Sequence, residues 1–160
     1  APLPLVFSFF ARAENLGAIT PGWMKFEILH ATPGDMGAGT RIRYRIRLGP
    51  WTMRWVTEIH IWEPGVRFVD NQASGPYSRW SHAHLFEACG DSTLMTDRVH
   101  YRLPGWGLGR LVHRILVGNT LRRIFAFRAQ AIRHRFMTQN YRLPDEFHDG
   151  EQARESSAAE

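Results

Sequence analysis

Thr40-Arg41-Ile42-Arg43-Tyr44-Arg45-Ile46-Arg47-Leu48 alternates uncharged and cationic side chains without a break. Successive side chains of a strand point to opposite faces, so this is a strand with one buried and one solvated side. Half-solvated strands belong to antiparallel sheets, because parallel sheets are covered on both faces. The same period continues downstream. Gly49-Pro50 turns the chain, and along Trp51 to Trp62 the residues Trp51, Met53, Trp55, Thr57, Ile59 and Ile61 are expected on one face. Pro64-Gly65 makes the next turn. Further strands are expected over Arg67 to Ala73, Arg79 to Ala88 and Thr93 to Leu103, the last two joined across Gly90-Asp91. Short turns with no helical pattern between them describe a meander and argue against a parallel βαβ sheet.

Upstream, Trp23 to His30 has strand character ahead of the Pro33-Gly34-Asp35 turn. Leu5 to Ala18 reads as a short helix with Val6, Phe9, Phe10 and Ala13 on one face, ended by Pro21-Gly22. Beyond Pro104 the period becomes helical. Leu108, Leu111, Val112, Ile115, Leu116, Leu121, Ile124, Phe125, Phe127, Ala131, Ile132 and Phe136 recur at three- and four-residue intervals. They fit one long helix or two meeting near Gly118-Asn119. Arg110, Arg114, Arg122, Arg123, Arg128, Arg133 and Arg135 are expected on the opposite, solvated side. The fold class that follows is α+β: a curved antiparallel sheet wrapped around a long C-terminal helix, with a short N-terminal helix. A sheet closed in this way encloses a cavity lined by its aromatic-rich inner positions. Residues 1–137 are expected to form one domain, and residues 138–160, acidic and Ser/Ala-rich, a disordered tail.

The 160 residues carry 20 basic and 15 acidic groups, a net charge of +5. Nearly all the cations are Arg, Lys25 being the one Lys, and the charge is uneven. Residues 145–160 hold six acids against Arg154, which leaves residues 1–144 at +10. No apolar run approaches the ~20 residues that span a bilayer, and the N-terminal segment lacks the basic region and cleavage site of a signal peptide. Cys89 is a lone cysteine, so a reducing cytoplasm is the expected location. There is no nucleophile elbow, phosphate loop or dinucleotide fingerprint. Gly105-Trp106-Gly107-Leu108-Gly109 follows Pro104 without the required spacing and reads as a hinge or lid at the helix start.

On the strand Trp80 to Phe86, alternation puts Trp80, His82, His84 and Phe86 on one face. Phe68, Asp70 and Gln72 share a face on the preceding strand, as do Met95, Asp97, Val99 and Tyr101 on the following one. If all three faces point inward, His82, His84, Asp70 and Asp97 meet among aromatics. They are then the candidates for acid–base work, one His as general base and one Asp orienting it. The competing readings are a mutually satisfied structural network, which buried polar groups require anyway, and hydrogen bonding to a ligand. His-x-His with a carboxylate is a zinc-type donor set, but no motif frames it and a third ligand is not assured, so neither metal nor cofactor is expected. Trp23, Tyr44, Trp51, Trp55, Gln72, Tyr77, Trp80, Phe86 and Tyr101 are the candidate ligand-binding residues, with core packing as the alternative for the aromatics. The Arg41/Arg43/Arg45/Arg47 ladder faces outward, where pairing with Glu58 and His60 is expected. The alternative role for the ladder is contact with phospholipid, RNA or a protein partner. Without interleaved aromatics or a nucleic-acid motif, no nucleic-acid partner is expected, while transient contact with an anionic membrane remains open.

Several stretches together resemble the START-like superfamily, also called SRPBCC. They are Val6-Phe7 to Phe10 with Asn15-Leu16, Ile19-Thr20-Pro21 to Trp23, and Met36-Gly37-Ala38-Gly39-Thr40. Trp62-Glu63-Pro64, Arg67-Phe68-Val69-Asp70 and Gly75-Pro76-Tyr77 continue the series. Trp80 with His82, His84, Phe86 and Glu87, and Thr93-Leu94-Met95 with Asp97-Arg98-Val99, complete it. The likeness runs from about residue 3 to 137 and is strongest to the bacterial polyketide cyclase-like ligand-binding members. It implies a helix-grip fold and binding of a small hydrophobic or aromatic, lipid- or polyketide-like molecule, with cyclase- or isomerase-type catalysis in some branches. The superfamily usually places a β-strand ahead of the first helix. This chain has almost nothing there, so a missing or truncated strand and an unpaired sheet edge are expected. Gly22 stands where a second proline is more usual.

Overall fold

The computed structural model describes residues 1–104 and 108–138, with the side chains of 1–104 and 117–137. The acidic tail, apart from Thr138, and the Gly105–Gly107 part of the expected hinge lie outside these residues. Helix α1 (Leu3–Phe10) comes first, then a 3-10 segment (Ala13–Ile19) and a second short one (Gly22–Met24). Six strands follow: β1 (Glu27–Ala31), β2 (Arg41–Leu48), β3 (Trp51–Glu63), β4 (Arg67–Ser74), β5 (Arg79–Cys89) and β6 (Ser92–Arg102). Helix α2 (Leu108–Thr138) closes the fold. The strands pair antiparallel in the order β1-β2-β3-β4-β5-β6, a pure meander with β1 and β6 at its edges. Thr93 on β6 donates from its hydroxyl to the carbonyl of Ala1 at 3.0 Å, so the first residue lies against that edge.

The alternation in β2 resolves as expected. Ile42 and Ile46 are buried, Tyr44 is half-buried, and Arg41, Arg43, Arg45 and Arg47 are exposed. Arg41 pairs with Glu58 at 2.7 Å, and Arg45 reaches Glu27 on β1. His60 makes no such pair, because it sits at a β-bulge where the register steps from Ile59↔Asp70 to Ile61↔Val69. An extra residue in one strand reverses which side chains face the core beyond it. Ile61 therefore leaves the inner face, and Trp62 takes its place against Phe7 and Phe68.

Two helical expectations change as well. The N-terminal helix stops at Phe10 because Arg12 is extended, and Asn15 donates its side-chain amide to the orphaned carbonyl of Phe9 at 2.8 Å. The chain then continues as a 3-10 segment. The strand expected from Trp23 starts only at Glu27, because Lys25 adopts a left-handed backbone (φ 42°) that ends the Gly22–Met24 turn. Helix α2 is continuous through Gly118, so one long helix replaces the two-helix option.

The core joins α1 to the sheet. Val6, Phe9 and Phe10 pack with Ile42, Ile59, Phe68 and Phe86, and Ala131, Ile132 and Phe136 of α2 cover them. Each such side chain contributes about 1.5–3 kcal/mol by burial. A second cluster, Met24, Ile46 and Trp55, lies nearer the other end and contacts Ile124. Between the two clusters the helix and sheet do not fully meet, and the gap is the cavity. No helix among the described residues is long and apolar enough to cross a membrane.

Candidate functional site: a buried His–Asp–Arg cluster at the wall of an apolar cavity

Helix α2 and the inner face of the sheet enclose about 530 Å³, within the ~300–1,000 Å³ typical of small-molecule sites. Most of the wall is apolar: Met24, Phe26, Ile46, Met53 and Trp80 on the sheet side, Leu121, Ile124 and Phe125 on the helix side. The polar part of the wall is concentrated where Thr57, Asp70, His82 and His84 face Arg128.

Strand register explains this concentration. Asp70 lies directly opposite His82, and His84 directly opposite Asp97, so three neighbouring strands deliver four ionisable groups to one spot. The imidazole of His82 donates from Nε2 to Asp97 Oδ1 at 2.9 Å, and its Nδ1 stands 3.6 Å from Asp70 Oδ2. His84 places Nε2 3.1 Å from Asp70 Oδ2 and Nδ1 2.9 Å from Asp97 Oδ1. Thr57 donates its hydroxyl to Asp70 Oδ1 at 2.9 Å. Arg128 brings Nε to 3.7 Å from Asp97 Oδ2 and Nη2 to 3.5 Å from His84 Nδ1. Aromatic rings flank the cluster. Phe68 stacks on His84 at 4.1 Å and Phe125 sets its edge to His82 at 5.3 Å.

Burial and pairing oppose each other here. For Asp97, burial raises the pKa, but hydrogen bonds from His82 and His84 and the Arg128 charge outweigh it and hold the carboxyl below the usual range. Asp70 follows the same pattern, with His84, His82 and Thr57 as its partners. His82 is pushed down, first by burial and then by its neighbour His84. Burial also lowers Arg128. On the cavity wall Tyr44 is raised well above its ordinary value by burial and by Asp70, and burial pushes Tyr77 up to about 12. Both phenols are therefore neutral donors at physiological pH. Trp55 is buried in the same wall with its indole N–H unpartnered.

The structure thus brings together His82, His84, Asp70 and Asp97, and sets Tyr44, Trp55, Tyr77 and Trp80 around the cavity. The other candidates stand elsewhere. Trp51 sits at the hairpin tip, 73% exposed, and Trp23, displaced from the sheet by the 3-10 turn, is 43% exposed under Arg123. Gln72 is used in a turn: its amide donates to the carbonyl of Tyr77 and its oxygen accepts from the Tyr77 N–H. Phe86 is core, packed on Phe7 and Phe10, and Tyr101 backs Tyr77 and Trp80. Arg128 was expected on the solvated side of the helix and is instead buried. Its spacing carried the signal, because Leu121, Phe125, Arg128 and Ile132 recur at four-, three- and four-residue steps along one stripe.

The sequence family described as polyketide cyclase/dehydrase and lipid transport matches residues 1–129. No curated protein matches the chain. Among solved structures, TTHA0849 from Thermus thermophilus is similar at TM-score 0.64 and 20% identity, covering 88% of this chain and 93% of that one. The ZhuI aromatase/cyclase from Streptomyces sp. R1128 is similar at TM-score 0.57 and 17% identity, with 84% and 88% covered. Ara h 8.0201 follows at TM-score 0.53 and 15% identity, with 82% and 91% covered. At these identities the three structures establish the helix-grip fold.

Proposed function

From the chain's membership of the polyketide cyclase/dehydrase and lipid transport family, a hydrophobic ligand-binding fold, we propose that this protein binds one small, ring-containing, largely apolar molecule that carries an acceptor oxygen. The observation behind this reading is a largely apolar cavity of about 530 Å³ whose wall carries the rings of Tyr44, Trp55, Tyr77 and Trp80. Those rings offer flat apolar faces to a ring of the ligand, and the neutral phenols of Tyr44 and Tyr77 are donors for a ligand oxygen. Arg128 and the Asp–His cluster mark the end of the cavity where a polar group of the ligand is tolerated.

The geometry favours binding over proton abstraction. Each imidazole nitrogen of His82 and His84 faces a carboxylate oxygen within 3.6 Å. Neither ring offers the cavity a free lone pair without breaking one of those contacts. Native mass spectrometry of the full chain, then denaturation and identification of what is released, tests the reading. A stoichiometric apolar compound bearing a carbonyl or hydroxyl is the expected result. A protein that stays empty after incubation with a panel of polycyclic ketones and phenols would sink it.

A second reading, contact with an anionic membrane, is favoured by the end of the molecule where β2 meets β3. Trp51 and Trp23 are exposed there, and the exposed Lys25, Arg47, Arg54, Arg79 and Arg102 stand toward the same end of the sheet. Among the described residues no carboxylate pairs with those cations, whereas Glu58, Glu63, Glu87 and Asp91 lie toward the opposite end of the strands. Indole rings with neighbouring cations suit a membrane interface. Sedimentation with phosphatidylserine vesicles is expected to be lost on Trp51→Ser with Arg47→Glu. Equal sedimentation of wild type and variant would remove this reading.

A further inference from the structure

The two imidazoles and two carboxylates of the cluster are not equivalent in position. Asp97 Oδ1 lies 2.9 Å from both His82 Nε2 and His84 Nδ1. A neutral imidazole donates from one nitrogen and carries a lone pair on the other. His82 donates from Nε2 to Asp97 and turns the lone pair of Nδ1 toward Asp70 Oδ2 at 3.6 Å. His84 shares its Nε2 proton with Asp70 Oδ2 at 3.1 Å, while Arg128 Nη2 points at its Nδ1. Asp70, His82 and His84 each offer one donor atom, all within 4.8 Å of one another, and a cation can take the place of the proton between His84 and Asp70.

We propose that Asp70, His82 and His84 form a binding site for one divalent first-row transition metal of the zinc or ferrous class, with its remaining coordination positions open to the cavity. The spacings fit. Donors ~2.0–2.2 Å from a tetrahedral or octahedral metal stand roughly 2.9–3.5 Å from one another, and Asp70 Oδ2 is 3.1 Å from one imidazole nitrogen and 3.6 Å from the other. Two imidazoles with one carboxylate suit zinc, iron, cobalt or nickel rather than calcium or magnesium. The surroundings also match what such a site needs. Asp97 Oδ1 lies 2.9 Å from the far nitrogen of both rings, the place from which a second carboxylate orients metal-bound histidines. Thr57 fixes the other oxygen of Asp70. At the cluster, Arg128 makes its contacts on the Asp97 side, to Asp97 Oδ2 and His84 Nδ1. A divalent ion with Asp70, Asp97 and Arg128 leaves one positive charge, which an anionic ligand oxygen neutralises. The inference goes beyond the ligand reading and does not depend on it.

The test uses untagged, chelator-treated full-length protein titrated with Zn²⁺ by calorimetry and with Co²⁺ by visible absorption. The expected result is one equivalent bound, with cobalt ligand-field bands that Zn²⁺ displaces. Asp70→Asn is expected to abolish saturable binding, and Asp97→Asn to weaken it about 10–100-fold. Near-ultraviolet circular dichroism checks that each variant is folded. The wild-type titration needs no variant: if no saturable uptake of either ion is seen, a proton occupies the convergence point and the proposal falls. Uptake that persists unchanged in Asp70→Asn overturns it equally, because the ion would then sit on surface histidines. Neither result bears on whether an apolar compound is retained, which native mass spectrometry reads separately.

Discussion

On the outer face of β2 and β3, Arg41 meets Glu58 at 2.7 Å with its own side chain 66% exposed. On the inner face, Arg128 meets Asp97 at 3.7 Å with its side chain 11% exposed. The shorter contact is the less costly one to break. Water screens the outer pair, and ordering two long side chains offsets part of its attraction, so it contributes about 0.2–1 kcal/mol. The inner pair sits behind aromatic rings, where any group left alone bears its full desolvation cost. The same residue types thus make a tolerant surface and an intolerant centre, and distance alone does not distinguish them.

Truncation gives the largest expected separation. Asp97→Ala leaves His82, His84 and Arg128 without their common partner and is expected to cost about 3–5 kcal/mol. Glu58→Ala should cost about 0.2–1 kcal/mol. Urea denaturation of both variants checks this, and comparable losses would dissolve the distinction between the faces. Acid sharpens it next. The pKa of His82 is lowered from 6.5, and those of Asp70 and Asp97 are lowered from 3.8. Each group binds a proton more readily when unfolded, so the stability each contributes is present above its unfolded pKa and lost as pH falls. In chelator-treated protein, stability should begin to fall below about pH 6.5 and fall more steeply below about pH 4. Asp97→Asn should flatten the lower limb, and an unchanged acid limb would count against the cluster as its source.

Alkali probes the cavity wall in the opposite sense. Tyr77 is raised to about 12 and Tyr44 lies well above 10. The unfolded chain loses these protons first, so their contribution is complete below about pH 10 and lost as pH rises toward the folded values. Tyrosinate absorbance should show both phenols resisting ionisation up to about pH 12 or until the protein unfolds, whichever comes first. Early ionisation of both below about pH 11 would mean that water fills the cavity wall.

Much of the sheet was legible because its period is two. Ile42, Tyr44 and Ile46 declare their face by alternation, and the same rule brings Asp70, His82, His84 and Asp97 to neighbouring inward positions. Alternation does not reveal bulges, so Ile61 and Trp62 exchange faces at His60 unannounced. Nor does it say where a strand begins, which is why Trp23 belongs to a turn, or how far along a strand the core reaches, which is why Trp51 at the start of β3 is exposed. Arg128 was legible in principle. Its spacing placed it on the apolar stripe, but a charge on that stripe reads as solvated until a buried carboxylate is seen opposite. The diagonal bonding, His82 to Asp97 and His84 to Asp70, depends on side-chain torsions that no sequence period encodes.

Trp51 and Trp55 make the smallest and most discriminating comparison, because they stand two alternations apart on one strand, β3. Trp51→Phe changes a ring in water and is expected to move stability by less than about 0.5 kcal/mol. Trp55→Phe removes buried ring area but also removes a donor that has no partner. Those effects oppose each other, since burial of the lost atoms had been stabilising while the orphaned N–H costs about 1–3 kcal/mol. The ligand-free variant should therefore unfold within about 1 kcal/mol of wild type despite truncation of a core residue, where a fully satisfied core tryptophan would lose more. Ligand-loaded protein should behave differently, because the ligand then packs against the Trp55 ring. Loaded Trp55→Phe should retain the released compound about 5–10-fold less well than wild type, a difference of roughly 1–1.4 kcal/mol from the lost ring area. Thermal shift of the loaded and empty forms of both variants reads this directly. A Trp55→Phe variant that retains ligand as well as Trp51→Phe would mean that the indole packs only within the core.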